Sequence, residues 1–163
     1  MKKFILLIFI ASTLVSCNQR PPQWTRAPYL ARLDSLRNEL LQTDISFSQL
    51  CETKGRNAAF IEYADSNATM LRPFHMPVMS RDSIISMFSN HPDSLYKLTW
   101  VPIRADVAHS AELGYTFGTY SLEIKDGGKE EGTYCTIWKK HKNQPWKFIL
   151  DTGNEGLSEE DRK

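Results

Sequence analysis

Gly132-Thr133-Tyr134-Cys135-Thr136-Ile137-Trp138-Lys139-Lys140 is the stretch on which the fold turns. Tyr134, Thr136 and Trp138 fall on one face and Thr133, Cys135 and Ile137 on the other, the two-residue period of a β-strand. Two aromatics of this size are buried only if their face is turned toward the rest of the protein. The stretches around it follow the same grammar. Tyr96 to Ala108, Ala111 to Ile124 and Trp146 to Asp151 are rich in β-branched and aromatic residues. They are separated by His109-Ser110, Asp126-Gly127-Gly128 and Lys142-Asn143-Gln144-Pro145, each a hairpin signal.

Upstream of residue 93 the pattern is helical. Ala31 to Leu41 places Leu33, Leu36, Leu40 and Leu41 at helical spacing, and Asp44 or Ser46 can cap a second helix through Cys51 and Lys54. Gly55 interrupts it before Asn57 to Ala64 resumes with Ala58, Ala59, Phe60 and Tyr63. Ala68 to Leu71 reads as a short strand ending at Arg72-Pro73. Ser80 caps a further helix over Arg81 to Ser89, with Ile84, Ile85 and Phe88 on one side and Asn90-His91-Pro92 as the stop. Helices first and an antiparallel meander after them predict an α+β fold, helices packed on one face of a curved sheet.

The amino-terminal segment bears on location. Lys2 and Lys3, the apolar run Phe4 to Ile10 and the site Leu14-Val15-Ser16-Cys17 resemble a bacterial lipoprotein signal; the run is too short for a transmembrane helix. The resemblance implies cleavage after residue 16, acylation of Cys17 and anchoring to a membrane. Residues 17–43, with Pro21, Pro22 and Pro28, then read as a lipidated tether carrying one short helix, residues 44–154 as the domain and residues 155–163 as a polar tail. No acidic residue stands among Asn18, Gln19 and Arg20, so the expected location is the outer membrane, facing the periplasm.

Of 163 residues, 147 remain without the leader, enough for one domain with a real core. Loss of Lys2 and Lys3 changes 20 Lys and Arg against 19 Asp and Glu into 18 against 19. That balance argues against nucleic acid, whose phosphates need clustered surplus cations. The basic run Lys139-Lys140-His141-Lys142 reads as a solvated turn. Cys51 and Cys135 can pair in an oxidising compartment or act as small buried hydrophobes. No Cys/His spacing suits zinc, so neither a metal nor another cofactor is expected.

Taken together, Phe47 to Gly55, Ala58-Ala59-Phe60, Tyr63-Ala64-Asp65, Gly114 to Tyr120, Gly132 to Trp138 and Trp146 to Asn154 resemble the DUF4440 branch of the NTF2-like superfamily, relatives of SnoaL-like and ketosteroid isomerase-like proteins. The resemblance spans residues 44–154. It implies a cone, a strongly bent antiparallel sheet around helices with an apolar pocket at its open end. Members include enzymes and binding modules without chemistry, so the fold leaves the function open.

Isomerase chemistry in such a cone needs a carboxylate to move a proton and a neutral donor to hold the developing oxyanion. Asp65, Asp106 and Asp151 are the carboxylate candidates, and Tyr63, Tyr115 and Tyr134 can donate. Asp65-Ser66-Asn67 also reads as a turn, Asp106 as an exposed strand end, and Asp151 as lying on the face opposite Trp146, Phe148 and Leu150. His75, in Pro73-Phe74-His75-Met76-Pro77, belongs to a loop near the pocket mouth. No nucleophile motif or phosphate loop is present. The expected pocket lining is Phe60, Tyr63, Trp100, Arg104, Tyr115, Tyr134 and Trp138, suited to a flat or anionic small molecule or else simply filling the cone. Three functions follow: a binding or accessory module for a small hydrophobic or aromatic molecule, an isomerase or dehydratase using an Asp base and a Tyr donor, or a module that forms a homodimer through the outer sheet face.

Overall fold

The computed structural model describes residues 23–156. The expected leader over residues 1–16, Cys17 and the tail from residue 157 lie outside the described residues. Helix α1 (Gln23–Lys54) is followed by α2 (Arg56–Tyr63), β1 (Ala64–Leu71), β2 (Val78–Met79) and α3 (Arg81–Ser89). A 3-10 turn at Asp93–Leu95 leads into β3 (Tyr96–Val107), β4 (Leu113–Ile124), β5 (Lys129–Lys140) and β6 (Trp146–Glu155). The strands form one sheet in the order β2-β1-β6-β5-β4-β3, antiparallel except for the parallel β1–β6 pair. The sheet curves around the helices without closing, the α+β fold that the pattern predicts and the cone that the resemblance implies.

Local chemistry accounts for the elements. The side chain of Ser80 accepts from the backbone N–H of Ser83, capping α3 over the predicted residues. Gly55 breaks α1 from α2 at φ +93°, where a Cβ would meet the Asp93 carboxylate at 2.5 Å. Two helices expected over residues 31–41 and 44–54 are one. Ser46, Thr43 and Thr53, hydroxyls that could have capped, donate instead to helix carbonyls of Gln42, Glu39 and Gln49, so the backbone ladder has no need to end. Leu33, Leu40, Phe47 and Cys51 from this helix are buried; the core continues through Ile84, Phe88, Trp138 and Phe148. Phe47 sits at its centre, its ring 4.6 Å from Trp100 and 4.8 Å from both Phe60 and Tyr63. Cys51 and Cys135 are both free thiols.

Two irregularities set the interior faces. Between β3 and β4, Pro102 pairs with Gly118 and Arg104 with Phe117, so Ile103 is an extra residue. Between β5 and β6, Ile137 pairs with Leu150 and Trp138 with Phe148, so Ile149 is extra. Each bulge inverts the alternation beyond it, and two expectations are corrected on that account. Arg104, expected inward with Trp100, is exposed, whereas Asp151, expected opposite Phe148, is buried on the same side as Phe148.

Candidate functional site

A cavity of about 480 Å³ opens at the end of the cone where α1 finishes and β3 begins. Phe60 from α2, Leu98 and Trp100 from β3, Leu122 from β4 and Tyr134 from β5 form its apolar wall. The strands can line a hollow because their large inward rings lie flat on neighbouring glycines. A Cβ at Gly118 would meet the Tyr134 ring at 2.9 Å, and one at Gly132 would meet the Tyr120 ring at 2.7 Å.

The floor is polar and paired. Arg72 Nη2 donates to Asp151 Oδ1 at 2.7 Å, and Thr136 Oγ1 donates to Asp151 Oδ2 at 2.8 Å. Behind the wall Asp44, wholly buried on α1, accepts from Tyr134 OH at 2.7 Å and from Trp100 Nε1 at 2.8 Å. Burial pushes the Asp44 carboxyl above its ordinary value, although Tyr134, Trp100 and Thr116 as donors pull it down. Burial, followed by the charge of Asp44 and the bond to it, raises the Tyr134 phenol far above the ordinary range, so the proton stays on oxygen. Toward the rim Tyr120 donates to Glu130, while burial and that bond raise its own phenol. Arg56 and His75 complete the mouth. Among the described residues no cluster of His, Cys, Asp and Glu is placed to hold a metal ion.

Of the residues singled out by sequence, Phe60, Trp100, Tyr134, Asp151 and His75 line this cavity together. The others lie elsewhere. Trp138 is fully buried in the core, where its Nε1 donates to Thr116 Oγ1 at 2.8 Å. Tyr63 lines a second, shallower groove beside Trp146 and Lys147 on the helix side. Tyr115 is exposed on the outer face and stacks on Phe117 at 6.4 Å, because the inward series on β4 is Gly114, Thr116 and Gly118. Arg104 is outside for the reason given above.

Asp65 and Asp106 also stand away from the cavity. Asp65 is pushed up by burial, but the Asn67 backbone N–H, His141 and Ser66 outweigh this and leave it below its ordinary value. His141 Nε2 lies 2.7 Å from it, so the basic turn docks onto the helix side. Asp106 accepts from Arg37 Nε at 2.6 Å, and this bond holds it below its ordinary value. Sequence reasoning missed Arg56, Arg72, Glu130 and the role of Asp44. The Arg72-Pro73 break marked the position of Arg72 as a strand end, but nothing local indicated its partner or those of the others.

No family model and no curated protein matches the chain by sequence. Solved structures do match in fold. A ketosteroid isomerase-like protein from Erwinia carotovora atroseptica superposes with a TM-score of 0.59 at 10% identity, over 79% of this chain and 97% of its own. An NTF2-like protein with a cystatin-like fold from Novosphingobium aromaticivorans gives 0.61 at 12% identity, over 85% and 94%. An LEH-like epoxide hydrolase from M. tuberculosis gives 0.53 at 8% identity, over 72% and 80%. This is the NTF2-like fold, shared by proteins described in quite different functional terms.

Proposed function

We propose that the protein is a lipid-anchored binding module of the cell envelope, of the DUF4440 branch, whose cavity takes a small hydrophobic or aromatic molecule and supports no strong catalysis. One observation carries this reading. The cavity has the size and apolar wall of a ligand site, and the carboxylate at its floor has both oxygens engaged, one by Arg72 and one by Thr136. An aspartate held this way orients its neighbours but is poorly placed to take a substrate proton. Residues 14–17 support acylation at Cys17 and, with Asn18 to Arg20, a location at the outer membrane facing the periplasm.

Native mass spectrometry of the full chain purified from its membranes tests the reading. The expected result is a retained small molecule that disappears when Leu122→Trp fills the cavity. A bare wild-type protein, or a ligand that survives Leu122→Trp, overturns it.

The isomerase reading keeps one observation in its favour: Tyr134 lines the cavity and its hydroxyl donates to a buried carboxylate, Asp44. A homodimer through the outer face is likewise supported by Val101, Ile103, Tyr115 and Phe117, all exposed on β3 and β4.

A further inference from the structure

The apolar wall of the cavity carries a guanidinium whose one ion pair is long. Arg56, the first residue of α2, lines the mouth with its side chain only 15% exposed. Its Cζ lies 4.3 Å from the centroid of Tyr96 and 5.1 Å from that of Phe88, so aromatic faces hold the planar group. Its hydrogen bonds among the described residues are long, 3.3 Å each, and go to neutral oxygens, Asn57 Oδ1 and the His91 carbonyl. The nearest carboxylate oxygen, Asp93 Oδ1, is 3.9 Å away. That carboxylate is turned to the backbone N–H of Asn57, at 3.0 and 3.1 Å.

Arg72 on the same cavity presents the contrast. It makes a 2.7 Å bond to Asp151 and also lies over an aromatic ring, that of Phe60, at 5.6 Å. Arg72 is paired closely, whereas the one ion pair of Arg56, to Asp93, is long at 3.9 Å. A largely buried guanidinium whose hydrogen bonds go to neutral oxygens at their limit of length, and whose ion pair is at 3.9 Å, gains from an anion that comes closer. Its planar fork of donors fits a carboxylate in particular. Of the acids that line the cavity, Asp151 holds Arg72 and Thr136, Glu130 holds Tyr120, and Glu155 stands exposed at the end of β6.

We propose that Arg56 is the anion-recognition residue of the cavity, and that the ligand is an amphipathic carboxylate whose acid group meets Arg56 while its apolar body lies along Phe60, Leu98, Trp100 and Leu122. This rests on the binding reading above and narrows it to a substrate class.

Calorimetric titration of the full chain with naphthoate, naphthamide and naphthylmethylamine, three probes of one shape and three charges, decides the matter. Naphthoate is expected to bind at least tenfold more tightly than naphthamide, with the amine weakest. Arg56→Gln should bring naphthoate down to the level of naphthamide and leave naphthamide unchanged, while Arg56→Lys retains part of the difference. If Arg56→Gln fails to melt cooperatively, salt provides the second measurement, since only the naphthoate affinity should fall as ionic strength rises. Equal binding of acid and amide, or tighter binding of the amine, overturns the anion site and leaves the cavity reading standing. Absence of binding by all three, together with no co-purified ligand, brings down both.

Discussion

Asp44 is the residue around which the interior is organised. Tyr134 and Trp100 reach it from two strands, and both also form the cavity wall, so one carboxyl fixes the rings that a ligand would touch. Removing it as Asp44→Ala strands an indole N–H and a phenol O–H in the core, at about 1 to 3 kcal/mol for each unsatisfied donor. Its titration gives a sharper expectation. The folded value lies above the ordinary 3.8, so Asp44 stabilises the fold fully below about pH 3.8 and loses that contribution as pH rises through the raised folded value. Asp106 has the opposite sign: held low by Arg37, it contributes above its ordinary value and loses the contribution as pH falls through the lowered one. Urea unfolding between about pH 3.5 and about pH 7 should therefore show wild type losing ground to Asp44→Asn as pH rises, and gaining on Asp106→Asn. The reverse trend for Asp44 would mean that its donors outweigh its burial. Asp44 was legible only as a helix cap, because the donors it accepts from lie 56 and 90 residues further along the chain.

At the level of elements, sequence pattern and structure agree where periodicity is regular and part where a bulge intervenes. The α3 boundaries, the glycine break at Gly55 and the inward series Tyr134, Thr136 and Trp138 all follow from local rules. Ile103 and Ile149 carry no signature that marks them as extra residues, yet they exchange Arg104 and Asp151 between the faces. The cation nearest the predicted aromatics thus left the cavity, and a carboxylate read as facing the other way entered it. The glycines beside these bulges have a definite role. At Gly118 a Cβ would stand 2.0 Å from the Val101 carbonyl and 2.9 Å from Pro102 Cα, both backbone atoms that cannot swing aside. Gly118→Ala is expected to pry β3 from β4 and lift Tyr134, costing about 1 to 3 kcal/mol. Gly128→Ala is the control, since nothing lies within 4 Å of its added methyl. Equal melting temperatures for the two variants would show that the sheet does not depend on this close approach.

The whole molecule has a polarity set by α1. Its start lies at the β3–β4 turn, where Tyr29 OH donates to the His109 carbonyl at 2.8 Å, and its end lies at the cavity, where Cys51 Sγ donates to the Leu98 carbonyl at 3.4 Å. Thirty-two residues at about 1.5 Å each separate the two ends by about 48 Å. If Cys17 carries the lipid, only a few residues join the anchor to this helix, and the cavity mouth stands at the end of the molecule away from the bilayer. A ligand would then arrive from the aqueous side, although Phe74 at the mouth and Met76 beside it in the same loop are both strongly exposed and apolar. Replacing Cys17 with Ser should shift the protein from the membrane to the soluble fraction; retention in the membrane would sink the anchor. In a Cys135→Ser background, a nitroxide at Arg26→Cys is expected to be nearer the headgroups than one at Met76→Cys. The Met76 label should relax with a water-soluble nickel chelate and not with oxygen dissolved in the lipid. Relaxation of the Met76 label by lipid-phase oxygen would instead press the mouth against the bilayer and make the membrane itself the source of the ligand.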